Sequence, residues 1–292
     1  MEAYIAKIIS PEVFVRFELD EKRSYKEGIP KAHYKFIFAS NFRNKDKEGK
    51  VVSNPQREIL LDVLFADHQY PVIVTRPIQT EWLSHIGDAL YVSTPDINSI
   101  TGDKLTAFAP NTTGVPYGMG KEREIMKHLF DIGCLFELLD NIEVFKQSFD
   151  ATAKEEMKYR PERNIANVEE ILRDIIATAL LIARKDILKE EEERTKFNEL
   201  DRGIKQFKHF VYSSNFRITD AQIASAKAAY LAAIILTKHT GELRRFATTI
   251  PQTEYLIKHP EYNTLNKRLK FVGSGEALFY WYHTIGLLYP EV

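Results

Sequence analysis

The chain has 292 residues, 44% of them apolar, with 40 basic and 41 acidic side chains and a formal net charge of −1. This apolar content excludes a disordered chain, and the balanced charge excludes a chain-wide basic coat, so any nucleic-acid contact must be local. The single cysteine, Cys134, excludes an internal disulfide framework and a multi-cysteine zinc site.

The start, MEAYIAKIISPEVF, lacks the long apolar stretch of a signal peptide. The longest apolar-rich run, AKAAYLAAIIL, is about half the ~20 residues of a membrane span. The expectation is therefore a cytoplasmic protein with no membrane partner. Residues 1 to about 92 read mostly as strands. EVFVRFELDE and HYKFIFAS are rich in aromatic and β-branched residues, with Gly28 and Pro30 punctuating the loop between them. NFRNKDKEGKVVSNPQRE reads as a hairpin loop. EILLDVLF is apolar on both alternate faces, which predicts a strand in the middle of a sheet, covered on each side.

From Thr94 onward a helical period takes over. In STPDIN, Thr94 is placed to cap a helix, Pro95 to occupy its first position and Asp96 to complement its dipole. KEREIMKHLFDIGCLFELL sets Ile125, Leu129, Ile132, Phe136 and Leu139 on one face. NVEEILRDIIATALLIARKDILKEEEER reads as one long amphipathic helix ending in a solvated charge run. DAQIASAKAAYLAAIILTKH would pack closely against its own core or another subunit, and GEALFYWYHTIGLL closes the chain. The fold class expected is α+β: a small mixed β-sheet over 1–92, followed by a larger helical bundle over 93–292.

Three side chains stand out. Ile97, Ile100, Leu105 and Phe108 form one stripe of the helix that starts near Thr94, and Lys104 falls within it. Its methylene stem could cover apolar neighbours with the ammonium reaching water, or it could supply a fixed charge in a cleft, most often for phosphate. Asp62 interrupts EILLDVLF, where a carboxylate needs a hydrogen bond, a cation or a metal, so a structural salt bridge and a metal or catalytic role both stay open. Asp131 lies four residues after Lys127, an ordinary helix ion pair on its own. His33 and His128 have no partners at metal-ligand spacing, and GSGEALF is either an anion-binding nest or a plain helix entry. There is no GxxxxGK[ST], GxGxxG or GxSxG.

In order, ELDEKRSYKEGIPKAHYKF, LLDVLF, TGDKLTAFAPNTTGVPYG and IMKHLFDIG resemble the nucleotidyl transferase toxins of the AbiEii/AbiGii family, of polymerase-β-like minimal fold. The resemblance is strong over about 1–150 and rests on the KLxA lysine motif and the later [F/Y]D helix motif. It implies a partial nucleotidyltransferase sheet domain whose cleft the helical domain completes. It also implies a nucleoside triphosphate as substrate, Mg2+ if the protein is active, an acceptor such as a transfer RNA end, and a cognate antitoxin. On the resemblance, Lys104 engages the triphosphate, Asp131 is a candidate base or orienting group, and Asp62 is a carboxylate able to hold metal. All three are candidate catalytic residues, Lys104 is also the nucleotide-binding one, and developing charge on pyrophosphate is what a cation at 104 would stabilise.

The family's first two motifs, a Gly-Gly-Ser/Thr turn and an Asp-x-Asp strand, have no counterpart: the chain contains neither a Gly-Gly pair nor an Asp-x-Asp. The expectation is a toxin component that is truncated or inactive as written, because two-metal transfer needs those carboxylates. The alternative is a non-catalytic module of the same fold that binds nucleotide or antitoxin. Reading the DNA upstream of Met1 in frame for both motifs separates a fragment from a true short relative.

Overall fold

Alternating aromatic and β-branched residues build the first sheet. The computed structural model describes residues 13–24, 29–41, 43–53, 56–82, 87–212 and 215–290; Gly28 lies outside them. Two compact units result, Met1–His68 and Gln69–Val292. Sequence periodicity suggested a boundary after residue 92; the chain divides at His68/Gln69, so the hairpin before the helices belongs to the second unit.

In the first unit, β1 (Phe14–Leu19), β2 (Lys31–Ala39) and β5 (Gln56–Leu64) form an antiparallel sheet with β2 between the other two. Phe36 of β2 meets Phe14 and Phe17 of β1 with ring centroids 5.4 and 6.4 Å apart. A short turn of helix, α1 (Glu21–Ser24), links β1 to β2, and the Ser24 hydroxyl accepts from the His33 amide. The stretch expected as a hairpin loop carries two short paired strands, β3 (Arg43–Lys45) and β4 (Val51–Ser53), with Gly49 at φ 81° in the turn.

Two expectations need correction. The sheet is antiparallel in every described pairing, not mixed. β5 is also not a covered central strand: among the described residues it pairs on one side only. Ile59, Leu60, Leu61 and Leu64, which project from its faces, are exposed as well. Apolar residues on both faces record what a strand could bury, not what lies against it.

The second unit opens with the hairpin β6 (Ile73–Pro77) and β7 (Tyr91–Pro95), followed by α2 (Ile97–Thr106), α3 (Glu122–Leu138), α4 (Ile142–Lys158), α5 (Val168–Ala183), α6 (Glu191–Phe207), α7 (Ile218–Leu236), α8 (Thr264–Leu269) and α9 (Glu276–Leu288). The alanine-rich α7 runs through its core, packed against α3, α5 and α9, and is buried within its own chain along nearly its whole length. Small side chains permit that approach: at Gly133 of α3, an added Cβ would sit 3.0 Å from Ala224 of α7. Lys227 of α7 is 8% exposed and ion-paired to Glu137 at 2.5 Å and Glu276 at 2.7 Å, which neutralises a charge that would be costly alone. The face predicted on α3 is the buried one, from Ile125 through Leu139.

The long helix expected from Val168 is two. The acidic run does not end the first; it starts α6, whose first turn holds Glu191, Glu192 and Glu193. The helix dipole favours carboxylates at that end. GSGEALF resolves as helix entry: Gly273, Ser274 and Gly275 all have positive φ just before α9. Among the described residues no helix is long and apolar enough to cross a membrane.

Candidate functional site

TGDKLTAFAPNTTG forms most of α2 and the loop after it. Pro95 ends β7, so the helix starts two residues later than expected: Asp96, not Thr94, is the cap, accepting from the Ser99 amide at 2.9 Å. The Asp96 carboxyl is held below the ordinary range: burial raises it, but hydrogen bonds from Ser99 and Asn98 outweigh that. Asn98 braces the same end, donating to Asp96 and Asp140 and accepting from the amides of Asp140 and Asn141.

The buried face of α2 coincides with the apolar stripe only at its C-terminal end, where Leu105 and then Phe108 are buried. Asn98, Ser99, Thr101, Gly102, Leu105 and Thr106 are buried, while Ile97 and Ile100 are only half-buried. The cause is Gly102, where α2 crosses α4 so closely that a Cβ would lie 2.6 Å from the Phe145 carbonyl oxygen and the Phe149 nitrogen. Small polar residues therefore fill the contact, and Ser148 of α4 donates to the Ser99 carbonyl at 2.7 Å. Lys104 is thereby turned to the flank, 34% exposed, rather than into the core.

Beyond α2 the loop is clamped by Asp174 of α5. Its carboxylate accepts from the Asn111 and Thr112 amides at 2.8 and 2.9 Å, from the Thr112 hydroxyl at 2.9 Å and from the Asn111 side-chain amide. Burial nevertheless pushes this carboxyl above the usual range. Sequence reading missed Asp174, although it shares a helical face with Ile171, Ile175 and Thr178, all buried.

From its flank Lys104 meets α3. Its Nζ lies 3.7 Å from Oδ2 of Asp131, which is 28% exposed. Asp131 thus pairs across helices. At this length the contact is an ion pair without a good hydrogen bond, leaving the ammonium its donors for a stronger acceptor. One turn earlier, His128 has Nδ1 enclosed, with no hydrogen-bond partner among the described residues. Burial first, then the charges of Lys104 and Lys127, lower its pKa to about 4, so the imidazole is neutral at pH 7. His283 is lowered likewise, by burial and Arg244.

These depressed histidines destabilise the fold in acid. Each contributes stability that is complete above its unfolded pKa near 6.5 and is lost as pH falls toward 4, up to roughly 3 kcal/mol for His128 and less for the more open His283, where solvent screens the charge. Thermal melts at pH 4 to 7 are expected to show a shallower acid-side loss for His128→Leu than for the wild type; parallel curves would contradict the assignment.

Asp62 belongs to the first unit. It faces His33 across β2 and β5, with Oδ1 2.5 Å from Nδ1, and its own side chain is 58% exposed. That is the cross-strand pair left open by the sequence. Among the described residues no three His, Cys, Asp or Glu side chains gather to hold an ion. The structure therefore brings together Lys104 and Asp131, adds His128 beside them, and sets Asp62 within a different unit.

A family model described as nucleotidyl transferase AbiEii toxin, type IV toxin–antitoxin system, matches residues 3–211. No curated protein and no solved structure matches the chain.

Proposed function

From the premise that the chain belongs to the AbiEii nucleotidyl transferase toxin family of type IV toxin–antitoxin systems, we propose that its helical unit binds a nucleoside triphosphate at Lys104. In this reading the protein takes part in transferring a nucleotide to an acceptor such as a transfer RNA end, and a cognate antitoxin is its family partner. The observation that carries the reading is the Lys104–Asp131 pair at 3.7 Å, two residues of the lysine and [F/Y]D motifs held on adjacent helices. The ammonium exchanges a weak carboxylate contact for phosphate oxygens, and the released Asp131 is placed to orient or accept from an attacking hydroxyl.

The residues present do not fit a two-metal centre. No Asp-x-Asp occurs in the sequence, and no three-ligand cluster occurs among the described residues. Magnesium enters the proposal only as companion of the triphosphate. The same observation favours a second reading, a non-catalytic module that binds nucleotide or antitoxin without turnover.

Titration calorimetry with each nucleoside triphosphate, with and without magnesium, tests the shared part. Lys104→Ala is expected to weaken binding about tenfold or more, as loss of a charged hydrogen bond of about 1.5–3 kcal/mol requires. The side chain is a third exposed, so the melting temperature should barely change. Unchanged affinity would remove Lys104 from the site. Incubation with labelled triphosphates and total RNA then divides the two readings, since only the first gives labelled RNA.

A further inference from the structure

Asp131 lines an open groove of about 520 Å³ between α3 and the end of α6 with the segment that follows it. Its walls combine exposed aromatic rings with two cations, Arg123 and Lys127, and two carboxylates, Asp131 and Glu124, the last paired to Arg123 at 3.1 Å. Phe210 is 64% exposed and Tyr212 86%, and the Arg123 guanidinium sits 4.6 Å over the Phe210 ring. Lys127 lines the same groove, and Trp82, itself 63% exposed, meets Tyr212 edge-on at 4.8 Å. Phe130 and Phe207 of the lining pack with Phe216 at mutual centroid distances of 5.3 to 5.8 Å.

Exposed rings cost hydration, and among the described residues Phe210, Tyr212 and Trp82 remain largely uncovered. Aromatic faces interleaved with Arg and Lys are the chemistry that holds single-stranded nucleic acid: bases stack on the rings while the cations follow the phosphates. Three exposed rings in sequence offer more stacking surface than the one base of a mononucleotide uses. We infer that Phe210, Tyr212 and Trp82, with Arg123 and Lys127, form a shelf that binds the single-stranded end of a nucleic-acid acceptor and leads it to Asp131. The inference rests on the transfer reading for the shelf's purpose, but its binding step needs neither triphosphate nor Lys104.

The chain holds two tryptophans, and Trp281 is fully buried, so emission quenched by iodide reports Trp82. Titration of the full chain with a single-stranded RNA hexamer, without triphosphate, is expected to shield that emission. Fluorescence anisotropy of the labelled hexamer should show Phe210→Ala and Tyr212→Ala each weakening binding about tenfold, within the range of one lost base stack. Arg123→Gln should lower the slope of log affinity against log salt by roughly one. Both aromatic positions are exposed, so the variants should melt as the wild type does. Unchanged affinity in both aromatic variants, equal binding of a duplex hexamer, or no binding together with antitoxin protection of Trp82, would overturn the shelf. If oligonucleotide binds while Lys104→Ala leaves triphosphate affinity unchanged, the triphosphate site fails and the shelf stands.

Discussion

Asp174→Ala is expected to cost roughly 3–4 kcal/mol, because it removes one carboxylate on which two backbone amides, a hydroxyl and a side-chain amide all converge. For a folding unit of this size that is a fall in melting temperature of about 10 °C, read by calorimetry or far-UV circular dichroism. Asp174→Asn separates charge from geometry. It keeps one oxygen for the amides of residues 111 and 112 but sets an NH2 group toward the remaining donors, so a loss about half as large is expected. The pH sign differs from that of the histidines. A carboxyl raised above its unfolded pKa contributes stability that is present at low pH and lost as pH rises through the folded value. The Asn variant, which cannot ionise, should therefore compare more favourably with the wild type at neutral pH than in acid. A melting temperature for Asp174→Ala within 2 °C of the wild type, an arbitrary but readable margin of about 0.5–1 kcal/mol, would show that the loop does not depend on the clamp.

Gly102→Ala is expected to destabilise by about 3 kcal/mol, at the upper end for overpacking, although alanine is the better helix former by about 1 kcal/mol. The added methyl would meet the Phe145 oxygen and Phe149 nitrogen at 2.6 Å and Ser148 Cβ at 2.8 Å. Two of these are main-chain atoms inside α4, so no side-chain rotation relieves the contact and the helices must separate. Because Lys104 is carried by the same helix, its 3.7 Å approach to Asp131 should lengthen as well. The variant should thus lose both melting temperature and triphosphate affinity, whereas Lys104→Ala loses only the second. A Gly102→Ala protein as stable as the wild type would mean that α2 and α4 approach less closely than described.

What could be read in advance follows from which residues carry contrast. α3 is spaced every three to four residues with large apolar side chains, and its buried face was legible. α2 was legible as a helix but its orientation was not. Its buried positions, such as Ser99, Thr101 and Gly102, are small and polar, and a hydrophobicity pattern gives no weight to a face chosen by close backbone approach. The break after Ala183 was hidden because Arg184 to Lys189 keeps a helical composition; Glu191 to Glu193 mark a start only if the dipole is considered. β5 misled for the opposite reason, its apolar content being real while its described neighbours leave Ile59, Leu60, Leu61 and Leu64 exposed and partly cover only Val63 among its apolar residues. At the site, motif order brought Lys104 and Asp131 to attention and the structure sets them side by side. Asp174 and Phe210 escaped, one among acidic neighbours in EEILRD, the other in KHFVYSSNF, a stretch with no period.

The helix bearing Lys104 is fastened at both ends and in the middle: by Asp96 and Asn98 before it, by Gly102 against α4, and by Asn111 and Thr112 on Asp174 beyond it. An anchor so thoroughly tied has little backbone freedom left to surrender. What remains is the four-carbon arm itself, whose ordering costs at most about 2 kcal/mol. The ammonium is a tether's free tip on a stationary post: it can sweep only as far as its own torsions carry it, and any phosphate it captures must arrive within that arc.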